Sequence, residues 1–209
     1  MRTGLYAAAA AVGVVATSCT FGLRDPGTVV ACDPIDFEIN THGEAVSDEA
    51  LTAVVDTFTE FGDLVGRDVV YLGPTEATQA GHTPDDPVLV EFIWPDDAPD
   101  ELGYASPTIR DGEYVSGWMY LHPVIGEAPD WLVRRLVLHE IGHLNGLLDV
   151  NDPTQMMDPG LATDTWGTGD LAGLAITTDL GCNDSPNLVQ AMLAADAGTR
   201  SSGPPGPDD

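Results

Sequence analysis

A chain of 209 residues has room for one ordinary domain with a real core, and its hydrophobic fraction of 43% is that of a globular protein. Thirty-four acids face seven basic residues, none of them lysine, for a net charge of −27. Such a surface repels polyanions, which argues against nucleic acid and anionic membrane faces as partners.

The chain opens on Arg2 and an apolar run from Leu5 to Ala16, too short to span a bilayer, so residues 1–18 read as a signal for export. The run ends in Ala16-Thr-Ser-Cys19, which resembles a bacterial lipobox; in such signals the cysteine is lipidated and becomes the new N-terminus. The expectation is an exported protein, lipid-anchored at Cys19 on the extracytoplasmic face or secreted, with no other membrane attachment. Ordinary cleavage near Ser18 is the alternative. With Cys19 lipidated, Cys32 and Cys182 remain to form a disulfide, which export permits; two unpaired thiols are the alternative. Residues 19–31 are expected to be an exposed tether.

Ile35-Asp-Phe-Glu-Ile39 alternates as a half-buried strand does. Ser47-Asp-Glu-Ala50 then caps a helix running to about Leu64, with Leu51, Val54, Val55, Phe58 and Phe61 on one face. Val69–Leu72 and Val88–Trp94 read as strands, and Gly103–Ser106 and Tyr114–Leu121 as two more, joined by a turn over Pro107–Gly112. A helix is expected over about 129–145, with Leu132, Leu136, His139 and His143 on one stripe.

That helix carries His139-Glu-Ile-Gly-His143-Leu-Asn-Gly146-Leu-Leu-Asp149. Residues four apart share a helix face, so both imidazoles can address one metal ion, with Glu140 beside them as a general base for water. Gly146 lets the chain leave the helix sharply, which brings Asp149 to where a third ligand is needed. Two histidines and a carboxylate form an accepted catalytic zinc set. Met157 follows in Gln-Met-Met-Asp-Pro159. A last helix is expected over about Gly169–Asp179, just before Cys182. Residues 184–209 read as a flexible tail holding at most one short helix at Pro186–Ala195.

The segment 139–159 resembles the metzincin clan of zinc endopeptidases, and within it the matrixin-like group, whose pattern is H-E-x-x-H-x-x-G-x-x-[H/D] followed by a methionine turn. Asp149 stands where most matrixins have histidine; a minority of bacterial metzincins is similar to this chain in using aspartate. The resemblance implies an α+β domain over 32–183: a twisted, mostly parallel five-stranded sheet with an antiparallel edge strand, a backing helix, an active-site helix and a C-terminal helix. It implies one catalytic Zn²⁺ on His139, His143 and Asp149, with Glu140 as base and Met157 as an apolar floor under the histidines. It further implies a polypeptide substrate that pairs with the edge strand at Gly103, Tyr104 and Ala105, beside a pocket lined by Pro159 to Trp166. A monomer is expected.

Other candidates are weaker. His42, His82 and His122 lie in separate loops or strand ends and read as surface or satisfied polar residues. Asp96, Asp97, Asp100 and Glu101 form an acidic loop with the oxygen ligands Ca²⁺ takes, although a solvated loop explains them as well. Within the family, matrixins often carry a second zinc, for which no matching histidine cluster exists here. A non-catalytic zinc-binding protein on the same scaffold is the alternative function, and it would have no need of Glu140.

Overall fold

The computed structural model describes residues 21–25, 27–94 and 101–178, with 187–188, 190–191 and 193–194 beyond them. The leader, Cys19, Asp96, Asp97, Asp100 and Cys182 lie outside the described residues. The strands are β1 (Gly22–Leu23), β2 (Val29–Val30), β3 (Ile35–Asn40), β4 (Val69–Pro74), β5 (Val88–Phe92), β6 (Gly103–Arg110), β7 (Glu113–Leu121) and β8 (Leu147–Leu148). Among the described residues three α-helices accompany them: α1 (Asp48–Val65), α2 (Asp130–Leu144) and α3 (Thr168–Thr177). Among the described residues no helix is long and apolar enough to cross a membrane.

The main sheet runs β4-β3-β5-β7, with β6 antiparallel on the far edge of β7 and the other pairings parallel. The expected five strands and antiparallel edge are therefore present. A sixth, β2, pairs in parallel with Glu113 and Tyr114 at the start of β7. The expected tether is thus in part folded: β2 joins the main sheet, β1 pairs antiparallel with β8, and Val30 and Ala31 are buried.

The hairpin β6–β7 is also longer than expected. Its turn is confined to Asp111 and Gly112, both at positive φ (55° and 87°), the geometry of a tight two-residue hairpin loop. Pro107 lies within β6 rather than in the turn. An edge strand tolerates it, because a missing N–H on the unpaired side breaks no ladder.

α1 forms because Ser47 caps it, its hydroxyl accepting from Ala50 N at 3.1 Å, and Gly66 at φ 72° ends it. Its apolar stripe of Val54, Phe58 and Phe61 packs against the sheet, with Phe58 stacked on Phe37 at 4.2 Å. Gly62 lets β4 come close, since a Cβ there would sit 2.3 Å from Val69 Cγ2. α2 is buried along most of its length from Leu136 to Leu144, so the site residues it carries are held in the core rather than on a mobile surface. The tail is not wholly free. Leu188 is fully buried with the main core, and Asn187 Nδ2 donates to Asp63 O at 2.8 Å.

Candidate metal centre

Leu136, His139, Glu140 and His143 fall at one face of α2 by their three- and four-residue spacing, and all four line one cleft of about 480 Å³. Gly146, at φ 85°, turns the chain away from the helix end. Only glycine fits: a Cβ would lie 2.5 Å from the ring of Tyr114. β8 then delivers Asp149 back to the histidines, as the sequence spacing predicts.

The donor atoms converge. Asp149 Oδ1 stands 3.2 Å from His139 Nε2 and 3.4 Å from His143 Nε2. Ligands at zinc-like distances of ~2.0–2.1 Å in a tetrahedron are separated by ~3.3 Å, so both of these spacings are compatible with one shared ion. The tautomers fit as well. His139 Nδ1 donates to Met156 O at 3.0 Å and His143 Nδ1 to Leu147 O at 2.9 Å, which leaves each Nε2 lone pair facing Asp149. Among the described residues this is the one group of three or more such side chains whose ligand atoms come together, and it can hold a metal ion.

Charge in the cluster is balanced by short-range contacts. With no metal between them, a protonated His139 donates from Nε2 to Asp149 and holds that carboxyl below the usual carboxylate range. Burial alone would depress His139, but Asp149 and Glu140 outweigh it and raise the imidazole. Burial lowers His143. Glu140 differs from all three. Burial, with the neighbouring Asp149 and Glu101, pushes its carboxyl up to about 8, and its buried Oε2 has no hydrogen-bond partner. An acceptor left open beside a metal-binding cluster is the arrangement a proton-transfer group needs.

Met157, 1% exposed, packs against Gly142 of α2; a Cβ on Gly142 would strike its sulfur at 2.3 Å. Sequence reasoning missed what holds this turn. The buried carboxylate of Asp170, in the first turn of α3, accepts from Met156 N (2.5 Å), Gly167 N (2.8 Å) and Met157 N (3.4 Å). Its sequence signal was only an acid near a helix start, which gives no hint of a partner 14 residues back.

Gly103, Tyr104, Ala105 and Pro159 all line the cleft, together with Leu161 and Arg24. Trp166 does not; it is half-buried in the core beside Phe61 and Gly142, because α3 draws the chain inward. His42 pairs with buried Glu91, His82 contacts Pro87 O, and His122 caps the short helix at Pro123–Glu127. Glu101, the described member of the acidic loop, accepts from Tyr120 Oη at 2.8 Å.

Gly103 packs directly on the open carboxyl. A Cβ there would lie 2.7 Å from Glu140 Oε1 and 3.1 Å from Leu136 Cδ1. Gly103→Ala should therefore overpack this contact and cost about 1–3 kcal/mol of stability. Denaturant titration checks this, and an unmoved midpoint would show that the edge strand yields instead.

No protein-family model matches the chain, and no curated protein matches it in sequence. Among solved structures it is similar to metalloproteinase-II from Bacteroides fragilis, with a TM-score of 0.47 and 14% identity over 79% of this chain and 58% of that one. It is also similar to the GM1-bound form of the ECX AB5 holotoxin, with a TM-score of 0.38 and 14% identity over 62% of this chain and 59% of that one. The chain thus spans less than two thirds of either. What the site can do follows from its own atoms: three donors placed to hold a metal, and a buried carboxyl with a free oxygen beside them.

Proposed function

We propose that this chain is a zinc-dependent metalloendopeptidase of the matrixin-like metzincin type, hydrolysing peptide bonds of proteins outside the cytoplasm. The observation that carries the reading is the convergence of His139, His143 and Asp149 beside the unpartnered Oε2 of Glu140. His139, His143 and Asp149 would hold Zn²⁺, which would supply Lewis acidity towards the scissile carbonyl. Glu140 takes the proton of the attacking water and returns it to the leaving amine.

Substrate pairs with β6. Its inner edge is fully paired with β7, its other edge has no strand partner among the described residues, and Gly103, Tyr104 and Ala105 bring that strand to the cleft. Pro159 and Leu161 line the cleft beyond it. Export, a lipid on Cys19 and a Cys32–Cys182 bond belong to the same proposal, and they rest on the leader and the cysteine positions in the sequence.

Metal removal tests the reading. Purified protein should contain one zinc, cleave members of a quenched peptide library, lose that activity in chelator and regain it with stoichiometric Zn²⁺. Cleavage that survives complete zinc removal would sink it.

A further inference from the structure

We propose that Arg24 makes this cleft selective for peptides that present a carboxylate, a reading that rests on the peptidase assignment above. The chain has only seven basic residues. Of the arginines among the described residues, four are occupied. Arg67 donates to Asp33 O, Arg110 pairs with Asp85, Arg134 pairs with Glu60, and Arg135 donates to Leu161 O while lying over Trp131. Arg24 is exposed, lines the cleft beside Leu148 and Asp149, lies near enough to favour the ionised form of Asp149, and makes no side-chain hydrogen bond or salt bridge among the described residues.

Its backbone, in contrast, is fixed. Gly22 and Leu23 pair with Leu148 and Leu147, and Arg24 N donates to Gly146 O at 2.8 Å. The guanidinium is therefore delivered from an anchored strand end, which lowers the entropy cost of engaging a ligand. The rest of the ionisable lining is committed. Asp149 and the two histidines face one another, Glu101 accepts from Tyr120, and Glu140 carries the proton transfer. An arginine fork with free donors, at a cleft otherwise edged by acids, matches a carboxylate by charge and shape. The chain's net charge repels such a ligand at long range, so the selectivity acts at contact, where the local cation dominates.

The carboxylate has two sources, an Asp or Glu side chain or the C-terminus of the peptide, and one experiment separates them. Fluorescent peptides with Asp or Asn at each position in turn, and with a free or amidated C-terminus, are titrated into the zinc-loaded full chain carrying Glu140→Gln, with and without Arg24→Gln. Binding requires no turnover, so a missing peptidase activity does not mask the result. The expected result is a preference on the order of tenfold for one class of carboxylate peptide. That preference disappears with Arg24→Gln, while affinity for neutral peptides and bound zinc stay the same. Absence of any preference with Arg24 present overturns the proposal. So does an equal loss for all peptides, or a loss of zinc in Arg24→Gln, since either would make Arg24 a structural partner of Asp149. A preference without cleavage in the unmodified chain would retain the carboxylate site and discard the peptidase.

Discussion

Glu140→Gln should reduce peptide hydrolysis on the order of a thousandfold while leaving one zinc bound. The amide matches the carboxyl in shape but cannot take a proton, and Glu140 is not among the converging ligand atoms. Metal content and kcat measured on the same sample decide the matter; turnover within tenfold of the unmodified protein would remove Glu140 as the base. The substitution has a second consequence, in stability. The folded-state carboxyl sits at about 8 against an ordinary 4.5, so the native state holds a proton that the unfolded chain releases. In chelator-treated protein the native fold therefore loses stability as pH rises from about 4.5 to about 8, and below that window the group contributes no difference. Glu140→Gln lacks this penalty. Its melting temperature should match the unmodified protein's near pH 4.5 and exceed it increasingly towards pH 8, by an amount corresponding to up to a few kcal/mol. Added zinc should narrow the gap, because a cation beside the carboxylate favours its ionised form.

Asp170→Ala should cost about 3–5 kcal/mol and weaken zinc binding together. The carboxylate is 1% exposed and ties α3 to the Met156–Met157 turn through the N–H groups of Met156, Met157 and Gly167. Alanine would strand those buried donors. The carbonyl of Met156 is also the acceptor that orients His139, so a loosened turn reaches a metal ligand through one hydrogen bond. Denaturant titration of the apo protein and competition against a zinc chelator measure the two effects separately. A midpoint that does not move would mean that water replaces the carboxylate without loss.

The sequence was most legible where one periodicity or one special backbone angle decides the outcome. The stripe of α2, the turn at Gly146 and the arrival of Asp149 follow from helix geometry and from glycine's freedom, and each is found where the spacing puts it. α1 was equally plain, because Ser47 and Gly66 mark its two ends. Less was visible where contacts join distant segments. β1 and β2 are two residues each, too short to show any alternation, and they exist because β8 and β7 offer them open edges. The extent of β6 was hidden by Pro107, which signals a turn in a sequence and is harmless on an edge. Leu188 lies in a polar, proline-containing stretch whose composition hides one buried anchor.

The pairing of β1 with β8 also fixes a distance. Only Thr20 and Phe21 separate Cys19 from Gly22, so the three steps between them span at most about 11 Å when fully extended. Gly22 in turn is paired with Leu148, the neighbour of a metal ligand. With the proposed lipid on Cys19, the mouth of the cleft would be moored against the bilayer rather than held out on a leash. The polypeptides within reach would then be the stalks and juxtamembrane loops of neighbouring membrane-attached proteins, met by lateral diffusion in two dimensions.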